Sequence, residues 1–165
     1  MRLRQQMDIE HSQAQEDRKW WKMIWAMNVP PKVKSFLWRA CSNILPTWEN
    51  LRRRKVQVDE RCEQPETCAH LLWECAFARN VWAMVRGRAQ KCNNEVQDFF
   101  HLFQILGRKL TKEEMEKWAT LSWAIWNARN KLYLEKIQTH PKVIMEGALA
   151  TLENYQRLSA TQEVV

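Results

Sequence analysis

The chain has few of the residues that interrupt helices: three glycines and five prolines among 165 residues. Short strands and tight turns depend on such residues, so their scarcity favours helices. The sequence also lacks any run of about 18 uncharged apolar residues, so no membrane span is predicted. Its first residues are polar and do not form the apolar core of a secretory signal. We therefore expect an intracellular protein of the nucleus or cytoplasm, neither secreted nor embedded in a membrane.

The motifs of common nucleic-acid enzymes are missing from the sequence. A polymerase or nuclease centre needs several carboxylates to hold two divalent ions. The sequence contains no Tyr-x-Asp-Asp segment, no glycine-rich phosphate loop and no plausible Ser–His–Asp set. The clustered acids, such as Glu113, Glu114 and Glu116, are interpreted as helix caps and solubilising charge. The sequence therefore predicts a protein that is not an enzyme.

Hydrophobic residues make up 45% of the chain, which is enough for the core of a folded domain. They recur at the three- and four-residue spacing of amphipathic helices, most clearly at Val33, Phe36, Leu37, Ala40, Cys41 and Ile44. An earlier helix is predicted with Trp21, Ile24 and Trp25 on one face. Five later helices are predicted: one after Thr47, one from Thr67 to Val85, one from Val96 to a closing Gly107, one after a Thr111–Glu114 capping box, and one from Pro141. The predicted fold is all-α, an irregular bundle of about six helices with a short non-helical, knuckle-like loop over residues 56–66.

Ten tryptophans are many for a chain of this length. The indole ring has a large apolar body and one N–H donor, so it suits helix packing, protein interfaces and base stacking. We assign most of the ten to the core and leave the remainder available for stacking.

Positive charge is concentrated in one stretch. Residues 18–61 contain eleven Lys and Arg against three acidic residues, a balance of +8, whereas the rest of the chain has a balance of −1. Such clustering is typical of a surface that faces a polyanion. The candidate nucleic-acid-binding residues are Lys32, Lys34, Arg39, Arg52, Arg53, Arg54 and Lys55. The alternative is a solvated helix end, where cations are favourable near the carboxyl terminus.

Potential metal ligands cluster shortly after this basic stretch. Three cysteines and one histidine lie within fourteen residues, at Cys62, Cys68, His70 and Cys75. Without a sign of secretion, such a cluster is more typical of a metal site than of disulfides. Zinc takes about four nitrogen or sulfur ligands in a tetrahedron. The alternative is that Cys75, like Cys41, is a small hydrophobic residue of the core.

Several separated blocks of the sequence point to one family. They are Trp25–Ala40, Leu45-Pro46-Thr47 with Leu51 and Arg54, Glu66–Cys75, Ala78 with Val81-Trp82, and Trp123–Lys131. In order and spacing these blocks resemble the zinc-binding module of plant LINE-type (non-LTR) retrotransposon reverse transcriptases. The resemblance spans roughly residues 20 to 137.

The resemblance implies a structural zinc and binding of RNA or DNA without sequence preference, close to the polymerase. Members of the family usually have Cys-x2-Cys-Gly before Pro-Glu-Thr-x2-His-Leu-Leu-x2-Cys. Here about four residues are absent, including the second cysteine of a four-ligand zinc site. The ligands of the family carry over onto Cys62, His70 and Cys75, with Cys68 as a candidate replacement for the fourth.

Three domains are predicted: a disordered polar tail over residues 1–15, the zinc-binding-like helical module over 16–137, and a C-terminal helix and tail over 138–165 that would lead into an absent ribonuclease H domain. The favoured function is a retroelement-derived module that binds nucleic acid, carrying one structural zinc if the shortened motif still binds metal. The alternatives are a helical module that docks onto a protein partner and an inactive retroelement remnant without metal.

Overall fold

A computed structural model describes residues 2–55, 67–85 and 96–164 of the protein. Within these ranges every regular element is helical, which confirms the predicted all-α class. The elements are α1 (Arg2–Ala26), α2 (Pro31–Cys41), α3 (Trp48–Arg53), a π-helical turn (His70–Glu74), α4 (Ala76–Trp82), α5 (Phe99–Lys109), α6 (Lys112–Glu135) and α7 (Pro141–Glu163). The knuckle-like loop predicted over residues 56–66 lies outside the described ranges. None of the helices in those ranges is both long enough and apolar enough to cross a lipid bilayer.

Side-chain caps start the helices where the sequence predicts them. Thr47 Oγ1 accepts a hydrogen bond from the Asn50 N–H at 3.2 Å, at the start of α3. At the start of α6, Thr111 and Glu114 form a complete capping box. The first turn of α7 begins at Pro141, where proline removes only an N–H that the helix would leave unpaired. These local predictions are confirmed.

The core lies where α2 packs against α5 and α6, with α7 packed along α6. Five members of the predicted α2 stripe are buried: Val33, Phe36, Leu37, Ala40 and Cys41. The sixth, Ile44, is 41% exposed because α2 ends at Cys41 and the following residues leave the helical path.

Helix α1 differs from the prediction in length and in orientation. It begins at Arg2 and continues through residues 2–15, where the sequence predicts a disordered tail, although the side chains of this part are exposed. Trp20 and Ile24 face the core, whereas Trp25 is 51% exposed. The predicted face is therefore wrong for Trp25, since α1 is rotated so that Trp20 packs inward against Phe103.

Gly107 lies inside α5, so the prediction that it closes this helix is wrong. A Cβ atom at this position would lie 2.6 Å from Cζ3 of Trp20, well inside contact distance. The absence of a side chain at Gly107 therefore allows α1 and α5 to approach closely at Trp20.

Glu116 is a buried structural residue rather than the solubilising charge that the sequence predicts. It is 4% exposed, and its Oε2 accepts a hydrogen bond of 2.6 Å from the Asn28 N–H. Its Oε1 accepts a second bond, of 3.3 Å, from Gln156 Nε2 on α7. This carboxylate thereby joins the segment between α1 and α2 to both long C-terminal helices.

Candidate metal and nucleic-acid sites

The predicted helix from Thr67 to Val85 is two elements in the structure. Thr67 caps it as expected, since its Oγ1 accepts a bond of 3.1 Å from the His70 N–H. A π turn follows, in which the Cys75 N–H donates to the carbonyl of His70, five residues back, at 2.6 Å. At Cys75 the backbone is extended, with ψ of 144°, and α4 starts at the next residue. Single π turns are rare and often occur at functional sites.

In the π turn, a backbone hydrogen bond joins the two residues that the resemblance assigns as neighbouring zinc ligands. Because the Cys75 amide bonds to the His70 carbonyl, the two backbones lie one turn apart. Both residues are partly accessible, and the His70 side chain is 16% exposed. Glu74 Oε2 lies 4.0 Å from Nδ1 of His70. The imidazole nitrogen of His70 and the thiol sulfur of Cys75 are ligand types that zinc takes.

Cys68 is buried, unlike this pair. It is 3% exposed, and its Sγ lies 3.9 Å from Oδ1 of Asn43. With Cys41 it lines a cavity of about 250 Å³ between α2, α3 and α5. Burial, followed by the charge of Glu49, raises the pKa of Cys68 to about 12, so this thiol is protonated at neutral pH. Burial also raises the pKa of Cys41 well above its ordinary value.

The predicted ligands are therefore not all brought together. Residues 2–55, 67–85 and 96–164 contain no group of three or more His, Cys, Asp or Glu arranged to hold a metal ion. Cys68 does not join His70 and Cys75, and the proposal of Cys68 as a replacement ligand finds no support in this geometry. Cys62 lies outside the described ranges. Among the described candidate ligands, His70 and Cys75 are the two that are partly accessible.

The seven candidate cations lie on two sides of α2. Lys32 and Arg39 line a groove between α2 and α6, while Arg53 lines the cavity next to Cys68. Arg53 lies 4.0 Å from Glu49, one turn back in α3. Lys34 Nζ donates a bond of 3.0 Å to the carbonyl of Trp25.

The other three candidate cations are exposed at the carboxyl end of α3: Arg52, Arg54 and Lys55. The basic run of the sequence and the cations of α2 therefore form separate surfaces. Of the seven candidates, Lys32 and Arg39 line the groove between α2 and α6.

Four tryptophans line this groove, and sequence reasoning did not single them out as a site. They are Trp25, Trp38, Trp123 and Trp126. Periodicity gives one usable signal, because Trp38 falls off the apolar stripe of α2 and is 40% exposed. The approach of Trp123 and Trp126 on α6 depends on tertiary packing.

The structure is that of a helical module. It carries a His–Cys pair on a π turn and basic residues on the neighbouring helices α2 and α3. Residues 7–82 match the family model described as zinc-binding in reverse transcriptase. This match supports the reverse transcriptase zinc-binding module predicted from the sequence, over a segment that is less than half of the chain. No curated protein and no solved structure matches the chain. The match ends at Trp82, so α6 and its side of the groove lie beyond it.

Proposed function

We propose that this protein is a non-catalytic module of LINE-type retroelement origin that binds RNA or DNA without sequence preference. Lys and Arg attract phosphate oxygens and carry no sequence information by themselves. The observation that carries the proposal is the accessibility of the cations within the zinc-binding module. Of the seven candidates, all but Lys34 are exposed on α2 and at the end of α3. In a retroelement protein such a surface would hold template or product close to the polymerase.

A salt titration tests this proposal. Binding of a fluorescein-labelled single-stranded oligonucleotide, measured by anisotropy, is expected to weaken steeply as salt rises, because bound phosphates release counterions. For single strands the slope of log K against log salt becomes shallower by about 0.7 for each phosphate that the protein no longer neutralises. The double variant Lys32→Ala with Arg39→Ala should therefore flatten the slope by roughly 1.4.

A matched pair of cations on α7 provides the control. Lys142 and Arg157 are exposed, so their replacement by alanine removes the same charge from a different helix. The control pair should leave the slope close to that of the parent protein. Equal slopes for both double variants, or no binding at low salt, would overturn the proposal.

We also propose one structural zinc per chain, with Cys62, His70 and Cys75 as ligands carried over from the family pattern. When bound, the ion would hold the 62–75 segment together, since structural zinc contributes folding free energy. The backbone hydrogen bond that joins Cys75 to His70 in the π turn supports this assignment, because it keeps the two residues close together.

Metal content tests the zinc assignment. Elemental analysis of protein purified without added zinc should give about one zinc per chain for a structural site. Cys75→Ser should lower this ratio strongly. Cys68→Ser is the matched control, because its buried thiol contacts Asn43, and this variant should keep the metal. A ratio near zero in the parent protein would remove the site.

A second candidate function, a module that docks onto a protein partner, is favoured by the first half of α1. This part projects as an exposed helix that carries Leu3, Met7 and Ile9, each at least 68% exposed. Exposed apolar side chains on a helix are typical of partner docking. This candidate predicts no salt-sensitive binding to RNA or DNA, so the titration above separates the two functions.

A further inference from the structure

The groove between α2 and α6 is a surface feature of about 620 Å³. Its walls come from the end of α1, one face of α2, Leu45 and one face of α6. This volume is within the range of about 300–1,000 Å³ typical of small-molecule sites, so it is large enough for planar rings. It is distinct from the cysteine-lined cavity, because Arg39 and Cys41 are two residues apart in α2 and point to opposite sides of the helix.

Two of the indole rings at this groove are more exposed than the tryptophans of the core. Trp25 and Trp38 are 51% and 40% exposed, whereas Trp20, Trp48 and Trp118 are at most 7% exposed. An exposed Trp leaves a large apolar area in water, and clusters of such area mark binding surfaces. The two exposed rings come from different helices and line one groove. The end of one helix therefore does not explain the exposure of both.

Two cations, Lys32 and Arg39, line the same groove. Nζ of Lys32 lies 4.5 Å from the centroid of the Trp123 ring, which places an ammonium group across the groove from α2 to α6. Arg39 is seven residues further along α2, about two turns or roughly 10 Å away on the same face. None of the described residues that line the groove is acidic. The groove therefore combines aromatic faces with positive charge at two points.

Single-stranded nucleic acid is the ligand that this combination fits. Proteins that bind single strands pair a positively charged groove with aromatic side chains on which successive bases stack. In a duplex the base faces are covered by neighbouring base pairs, so the rings of Trp25 and Trp38 would find no free face to stack on. A neutral apolar peptide would use the rings but not the two cations.

We propose that the α2–α6 groove binds unpaired bases of a single RNA or DNA strand. Trp25 and Trp38 stack on the bases, and Lys32 and Arg39 contact the phosphates on either side. This inference rests on the proposed nucleic-acid binding and adds the strand type, the stacking residues and the location. Stacking does not depend on base identity, so the groove has no strong sequence preference.

The test compares single strands, duplexes and abasic strands of equal length. Anisotropy is measured on the full chain with labelled dT12, rU12, a 12-base-pair duplex and an abasic 12-mer at low salt. The expected result is tighter binding of dT12 and rU12 than of the duplex and the abasic strand, by about tenfold or more per stacked base. The ratio of dT12 to rU12 affinity shows whether DNA or RNA is preferred.

Variants of the rings assign the effect to the groove. Trp38→Ala and Trp25→Ala should each weaken dT12 binding by about tenfold and leave abasic-strand binding within twofold. Trp38→Phe keeps an aromatic face and should recover most of the affinity. Because the two rings are on different helices and both are about half exposed, loss of folding in one variant leaves the other informative. Arg157→Ala on α7 is the control for a change outside the groove.

The outcomes distinguish this inference from the proposed function. If dT12 and the duplex bind equally and both Trp variants bind as the parent does, while Lys32→Ala with Arg39→Ala weakens binding, the stacking groove is wrong and the proposed function stands. If no oligonucleotide binds at low salt, both are wrong. Weaker binding of single strands in the Trp variants alone, with the duplex unchanged, supports the groove.

Discussion

The close approach of Gly107 and Trp20 gives a quantitative test of the packing of α1 on α5. In Gly107→Ala the new Cβ would lie 2.6 Å from Cζ3 and 3.3 Å from Cη2 of the indole. The ring has little room to retreat, since it is 3% exposed and packs edge-on against Phe103 at 5.8 Å. Arg108 also lies over it, 5.4 Å from the ring centroid. Overpacking of this kind costs about 1–3 kcal/mol.

Helix propensity works in the opposite direction, so a matched control is needed. Alanine is favoured over glycine inside a helix by about 1 kcal/mol. Gly147 lies inside α7, and a Cβ there would meet nothing within 4 Å. Gly147→Ala should therefore stabilise the protein by about 1 kcal/mol, whereas Gly107→Ala should be neutral or destabilise it by up to about 2 kcal/mol. The difference between the two variants isolates the steric effect of Trp20.

Urea unfolding followed by circular dichroism at 222 nm measures both free energies. Equal stabilisation by the two substitutions would refute the packing of Trp20 on Gly107. A second comparison uses the Trp20→Leu background, which removes the atoms that clash. There Gly107→Ala should become stabilising, as it is at Gly147, and the two changes should show a coupling free energy of about 1 kcal/mol or more.

Three further substitutions test the links between elements, each by the free energy of unfolding in urea. Glu116→Ala should cost about 2–3 kcal/mol, because it removes a buried carboxylate that accepts hydrogen bonds from the Asn28 N–H and from Gln156; a cost below about 0.5 kcal/mol would contradict this role. Thr111→Ala should cost about 1 kcal/mol by removing the cap of α6, and Thr111→Ser should restore most of it. Trp82→Phe should cost at least about 1 kcal/mol, since the indole N–H donates a buried hydrogen bond of 2.8 Å to the Leu72 carbonyl. An unchanged free energy of unfolding would argue against that bond.

The parts of the fold that depend on a few neighbouring residues could be predicted from the sequence. The capping box at Thr111 requires only Thr and Glu three residues apart, and the α2 stripe requires only the helical period. Both are confirmed. The end of α5 could not be predicted in this way, because glycine is common just after helices and nothing local shows that Trp20, 87 residues earlier, occupies the space at Gly107.

The π turn is a second feature that the period of 3.6 residues conceals. Leu71, Cys75, Ala78 and Trp82 recur at three- and four-residue spacings, which predicts one continuous helix. One extra residue in the turn at His70–Glu74 changes the rotation of the chain before α4 begins. The resemblance to zinc-binding modules identified His70 and Cys75 as a pair without reference to this geometry, so in this segment the motif was more informative than the periodicity.

For nucleic-acid binding, the run from Arg52 to Lys55 is the most conspicuous feature of the sequence, but adjacency in a sequence does not make a groove. Successive residues of a helix point in directions about 100° apart, so a basic run at a helix end spreads its charge. Lys32 and Arg39 are separated by seven residues and therefore share a face, and α6 brings Trp123 under Lys32 from far along the chain. Binding that depends on stacking should respond to changes at Trp25 on α1 and Trp38 on α2 more than to changes in the basic run. A larger loss of single-strand preference in Arg52→Ala with Arg54→Ala than in Trp25→Ala with Trp38→Ala would show that this reasoning about the groove is wrong.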